Sequence, residues 1–136
     1  MSYGMFTKMS QKDKWIWLAA LLEGEGTFTA AQSGESLRIT LGMTDKDTVN
    51  TAAKIMSNHG WPRKRPRQKP HWKDTWIFEI NGERAAFVAR KIMPYMHIRR
   101  RQKISSLLKV WYKKIMLRYG IVCRRCGAVD PTHKKN

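Results

Sequence analysis

The chain has 136 residues and a mass of 15.9 kDa, room for one domain, and its 42% hydrophobic and 10% aromatic content supplies a core, which excludes a wholly disordered chain. Lys+Arg number 27 against 10 Asp+Glu, a net charge of +17 and a pI of about 10.4, which points to a polyanionic partner, most simply nucleic acid. No apolar run reaches the roughly 18–20 residues of a membrane span, and Met1-Ser2-Tyr3-Gly4 lacks the pattern of a secretory signal, so a cytoplasmic or host nucleoid-associated protein is expected.

Ser10 with Asp13 three residues on is a helix start, a variant of the capping box. Trp15, Leu18, Leu21 and Leu22 then recur at helical spacing, and the helix should stop near Gly24 to Gly26. Residues 27–32 and 37–41 alternate polar and apolar on either side of a turn containing Gly34, which is a β-hairpin pattern. Thr44 with Asp47 starts a second helix, whose apolar face is Val49, Ala52, Ala53 and Met56.

Residues 61–80 read as a second hairpin. Its first arm is prolines and basics, and Pro62, Pro66 and Pro70 confine it to an edge or an irregular ribbon. In its second arm Trp72, Trp76, Phe78 and Ile80 alternate as a core-facing strand. A third helix is expected over about 81–93, ending at Pro94. A fourth is expected over about 98–118, with Ile104, Leu107, Leu108, Trp111 and Ile115 as its apolar stripe. The order α-β-β-α-β-β-α-α gives an α+β fold, one antiparallel sheet covered by helices on one face.

The charge is unevenly placed. Residues 1–83 are net +3, while residues 84–136 hold 15 Lys+Arg and a single acid, Asp130, for a net of +14. Ordinary surfaces mix both signs, so this is more than a solubilising charge. A membrane surface fits less well than nucleic acid, because the cluster Arg63–Lys73 is broken by prolines and is no helix.

Residues 18–26 read Leu-Ala-Ala-Leu-Leu-Glu-Gly-Glu-Gly. This resembles the LAGLIDADG motif of homing endonucleases. Two flanking segments resemble that family as well: Gly42-Met43-Thr44-Asp45-Lys46-Asp47, like its junction of second strand and second helix, and Met93-Pro94-Tyr95-Met96 followed by Arg99-Arg100-Arg101-Gln102. The resemblance covers roughly residues 12–118. It implies an αββαββα domain over 1–119, here with an extra C-terminal helix, and leaves 120–136 as a short basic tail.

The motif makes sense as chemistry. Ala20 and Gly24 are four apart and lie on one helical face, where small residues let another backbone come close. Two copies packed this way bring Glu25 of each to the junction, and two adjoining carboxylates call for a cation. Mg²⁺, or Mn²⁺ in its place, suits such a site. Single-motif members of the family are homodimers, so the resemblance implies an interface of Leu18, Ala20, Leu21 and Gly24 and a pseudo-palindromic duplex DNA target.

The reaction implied is metal-dependent hydrolysis of one phosphodiester in each strand. By resemblance Glu25 is the metal-binding acid, with the Gly24 carbonyl as a further ligand, and Glu23 is structural. Asp45 stands where the family often has a polar residue near the attacking water, or else is N1 of the second helix, favoured there by the helix dipole. Arg99 replaces a customary lysine; it can stabilise phosphate charge but cannot shuttle a proton.

DNA reading falls to Thr27, Thr29, Arg38 and Thr40 of the first hairpin and to Arg63, Arg65, Arg67 and Lys69 of the second; the opposite parity, with Lys64 and Gln68, stays open. The alternative function is a non-cleaving RNA maturase or DNA-binding regulator on the same fold. Intact Glu25 favours a nuclease of a mobile genetic element, such as an intron, because a pure binder has no need of paired acids beside DNA. In the tail Cys123, Cys126 and His133 offer three zinc ligands without an evident fourth, so free thiols are expected, with a structural zinc as the alternative.

Overall fold

The computed structural model describes residues 8–31, 36–57 and 60–119. Helix α1 spans Gln11–Glu25 and runs directly into strand β1, Gly26–Ala31. Strand β2 (Ser36–Met43), helix α2 (Lys46–Met56), the short strand β3 (Arg63–Arg65) and strand β4 (Thr75–Asn81) follow. Helix α3 (Gly82–Ile92), a 3₁₀ turn (Met93–Tyr95) and helix α4 (Ile98–Tyr119) complete the chain of elements. The expected order and the antiparallel α+β architecture are observed.

The helix starts follow capping chemistry. Ser10 caps α1, its hydroxyl accepting from the Asp13 N–H at 3.1 Å. Helix α2 begins one residue later than Thr44 suggests, because Asp45 is the cap: a carboxylate supplies two acceptor oxygens where a hydroxyl supplies one. Helix α3 has no side-chain cap. The Asn81 side chain instead accepts from Arg38 Nε at 2.9 Å, and Gly82 turns the chain from strand to helix without a loop at φ +63°, a left-handed conformation that glycine adopts without penalty.

The sheet order is β1-β2-β4-β3, all antiparallel. The register pairs Phe28 with Ile39, Ile39 with Ile80 and Leu41 with Phe78, so the apolar parity of every long strand lies on one face. On that face pack Leu18, Ala19 and Leu22 of α1, Val49, Ala52, Ala53 and Met56 of α2, Ala85, Ala86, Val88, Ala89 and Ile92 of α3, and Ile104 and Leu108 of α4. Each large aliphatic or aromatic side chain fully withdrawn here contributes about 1.5–3 kcal/mol. No polar or charged residue is buried among the described residues.

The second hairpin differs from expectation. Its first arm is three residues long, because Pro62 and Pro66 flank it without an N–H to extend the ladder. Arg67 and Lys69 therefore lie outside the strand. Arg67 folds back onto the carbonyls of Pro70 and Trp72 at 3.3 and 3.5 Å, and Lys69 sits over the Trp72 ring. Strand β4 begins at Thr75, so Trp72 is not in the core but 45% exposed; Trp76 is half-buried, with the Lys46 ammonium 4.5 Å from its ring centroid.

Candidate nucleic-acid interface and active site

The helix-free face of the sheet collects most of the side chains singled out for recognition. Register places Thr27 beside Thr40, Thr29 beside Arg38, and Thr40 beside Glu79. Arg63 pairs with Ile77 and Arg65 with Thr75, both of the parity opposite to Phe78 and Ile80. Thr27, Thr29, Arg38, Thr40, Arg63 and Arg65 thus share one face, and Lys64 lies with Trp76 on the other parity. Arg67 and Lys69 do not join them.

One carboxylate lies among these cations and a second binds the basic residues beside them. Glu79 Oε1 accepts from Arg63 Nη2 at 2.5 Å, and its Oε2 lies 3.4 Å from Arg38 Nε. Asp74 pairs with Lys64 at 3.2 Å and with Arg67 at 3.7 Å. Glu79, Asp74 and Asn81 are contacts that sequence reasoning missed. Glu79 was available to it, since it alternates with the core residues Phe78 and Ile80 and must face outward.

One end of the sheet gathers the remaining candidates. Glu25 is exposed and closes α1 where β1 begins. Gly26 pairs with Leu41, two residues before β2 ends, so Asp45 lies just past the same end. A Cβ on Gly26 would stand 2.7 Å from the Leu22 carbonyl oxygen and 2.8 Å from its side chain, which is why the motif closes on glycine.

The start of α4 is tied to this end as well. Arg100 Nη2 donates to the Glu23 carbonyl at 3.3 Å, and the His97 main-chain N–H donates to Glu23 Oε2 at 3.4 Å. The Arg100 guanidinium also lies over the Phe28 ring, 5.7 Å from its centroid. Arg99, the expected phosphate ligand, is exposed on the same turn. Glu23 thus meets the start of α4 through both its carboxylate and its carbonyl.

Asp45 Oδ1 accepts from the N–H groups of Asp47 and Thr48 at 3.1 and 3.4 Å, and Oδ2 from the Thr48 hydroxyl at 2.9 Å. The Thr48 hydroxyl, followed by its N–H, holds the carboxyl below the ordinary aspartate range. Asp45 is therefore the N-cap of α2 and not its first helical residue.

Of the four interface candidates on α1, Leu18 is fully buried in its own core. It cannot face a second copy, because the helix turns that position toward α3 and the sheet. Ala20 and Gly24 are exposed and Leu21 is half-buried; Ile16, 39% exposed, extends the stripe with period four. A Cβ on Gly24 would meet nothing within 4 Å.

Among the described residues no group of three or more His, Cys, Asp or Glu is placed to hold a metal ion. The chain offers the exposed Glu25 carboxylate and main-chain oxygens at a helix end. That donor set fits Mg²⁺, which is held by one or two carboxylates with waters and phosphate oxygens, rather than a metal needing an all-protein cage. Cys123, Cys126 and His133 lie outside the described residues.

No protein-family model and no curated protein matches the sequence significantly. Solved structures do. The chain is similar to the homing endonuclease I-CvuI in complex with its target in the presence of 2 mM Ca, with a TM-score of 0.57 at 15% identity, covering 93% of this chain and 87% of that one. It is similar also to I-CvuI with the I-CreI target in the presence of 2 mM Mg, with DNA not cleaved, at a TM-score of 0.58 and 16% identity over the same shares. The chain has the LAGLIDADG homing-endonuclease fold. In this LAGLIDADG fold the motif is α1 with its closing Gly26, and the four-stranded sheet with its open face follows from it in the expected order. No helix of the described residues is long and apolar enough to cross a membrane.

Proposed function

We propose that two copies of this chain pair through α1 and cleave both strands of a pseudo-palindromic duplex DNA, using a divalent metal at Glu25. The observation that carries this reading is the position of Glu25. It is an exposed acid at the end of the motif helix, at the same end of the sheet as the basic first turn of α4 and beside the open, arginine-bearing face. An acid without a neutralising partner is unfavourable beside phosphates, and a metal ion removes that conflict.

Each part of the chain then has a task. Glu25, with the Gly24 carbonyl, would hold the metal, which would supply positive charge at the scissile phosphate and at the attacking water. Arg99 and Arg100 remain protonated and stabilise phosphate charge; Arg100 is held for this by Glu23. Asp45 positions the start of α2, since both its oxygens are already engaged and a lowered pKa makes a poor proton acceptor. Thr27, Thr29, Arg38, Thr40, Arg63 and Arg65 lie along the major groove and contact base edges. The basics of α4 contact phosphates and make binding salt-dependent.

A second reading has its own observation. Trp61 is 77% and Trp72 45% exposed, next to Arg63, Lys69 and Lys73, an arrangement that stacks unpaired bases. It favours a non-cleaving RNA maturase or regulator. A cleavage selection on a randomised duplex library with Mg²⁺, beside Glu25→Gln, separates the two. Staggered cuts at related sites, lost by more than about 100-fold in the variant, support the nuclease. Selective binding without cutting supports the second reading.

A further inference from the structure

Glu79 stands in the middle of the open face, between β2 and the edge strand β3. Among the described strand residues of that face it is the one acid. A carboxylate here opposes phosphate binding, so its presence does not serve affinity. Nor does it serve the fold to any extent, since an exposed ion pair contributes little to stability. What it does is hold two guanidinium groups at once. Oε1 takes Arg63 Nη2 at 2.5 Å and Oε2 forms an ion pair with Arg38 Nε at 3.4 Å, while the single Arg38 Nε–H is donated to Asn81 Oδ1 at 2.9 Å. Arg65, one turn of the pleat along, makes no ion pair among the described residues.

We propose that Arg38, Glu79 and Arg63 form a specificity-determining triad that selects a G·C base pair in the major groove. This rests on the reading of the open face as a duplex-DNA surface. An arginine of the triad donates its paired N–H groups to guanine O6 and N7. Glu79 accepts from the cytosine N4 amino group, the one strong donor that pair presents in the groove. An A·T pair in the same orientation puts the thymine O4 acceptor where the carboxylate needs a donor, so two oxygens oppose each other and the ion pairs are broken without replacement. Glu79 therefore lowers affinity for most sequences and raises discrimination at one position.

The test is a binding selection on a randomised duplex library without divalent metal, comparing the full chain with Glu79→Gln and Arg63→Gln, each checked for native far-UV circular dichroism. The wild type is expected to enrich G·C at one position of each half-site. Both variants relax that same position by roughly 5- to 150-fold, the discrimination of one good bidentate contact, and leave the others alone. Glu79→Gln also binds random duplex no more weakly than wild type, because it removes a negative charge. Unchanged preferences in both variants, relaxation at unrelated positions, or a uniform loss across all sequences in Glu79→Gln overturns the triad while leaving the DNA surface intact. A wild type with no duplex preference at all overturns the DNA reading itself. Because Arg63 is 71% exposed, its variant tests the triad even if Glu79→Gln fails to fold.

Discussion

The main-chain N–H of His97 donates to Glu23 Oε2 at 3.4 Å, across 74 residues of sequence. The bond places a carboxylate over the first turn of α4, where the helix dipole favours it, and binds the end of the motif helix to the segment carrying Arg99 and Arg100. Glu23→Ala removes one such bond and should cost about 0.5–1.5 kcal/mol of stability. On the proposed nuclease reading, cleavage should fall further, by about 10- to 100-fold, the usual effect of losing a residue that orients a metal site from behind. Glu23→Gln, which keeps an acceptor, should fall between. Equal cleavage rates in Glu23→Ala and wild type would show that α4 finds its place without this contact.

The two glycines of the motif should respond oppositely. Gly26→Ala drives a methyl into the Leu22 carbonyl and side chain, and should destabilise the protomer by about 1–3 kcal/mol. Gly24→Ala meets open space and improves helix propensity, so stability should hold or rise by up to about 1 kcal/mol. Thermal unfolding of the two variants measures both signs.

Leu18 and Ala20 separate the inner and outer faces of α1. Leu18→Ala empties a fully buried position and should cost about 2–5 kcal/mol in unfolding free energy. Ala20→Trp, on the exposed stripe, should leave the stability of the single chain nearly unchanged and, if two copies pair through α1 as proposed, shift sedimentation from dimer to monomer. A wild type that sediments as a monomer both free and on DNA would remove the paired-acid arrangement.

Asp45 gives a pH dependence of known sign. Its folded-state pKa lies below the unfolded value of about 3.9, so its contribution is present above that pH and is lost as pH falls through the lowered folded value. Asp45→Ala should lower the melting temperature at neutral pH, and the difference from wild type should shrink as pH is taken below about 4. Asp45→Asn should stay close to wild type at pH 7, since asparagine caps a helix about as well.

Much of this molecule was written locally. Ser10 with Asp13 fixes the start of α1, alternation in 27–41 fixes the first hairpin, and period-four patterns fix the inner faces of α2 and α4. Local signals also carried the motif, because small residues, an acid and a closing glycine at set spacing are a property of one helix end. They failed where two local rules competed. Thr44 and Asp45 both suit a cap, and only the packed α2 shows that the carboxylate takes the place. Leu18 and Leu21 sit on neighbouring turns of one apolar stripe, and only the position of α3 and the sheet decides that Leu18 is wholly inside.

Contacts within a few residues set the elements and their order, and composition sets the basic character and the acid at the end of the motif. Which cations share a face, and which carboxylates hold them, follows from the packed sheet and helices. Glu79 meets Arg63 across 16 residues and Arg38 across 41, and Glu23 meets Arg100 across 77. Such partners are set by strand register and helix docking, and register is a property of the whole sheet: a slip of one residue in β3 would exchange Arg63 and Arg65 for Lys64 on the open face.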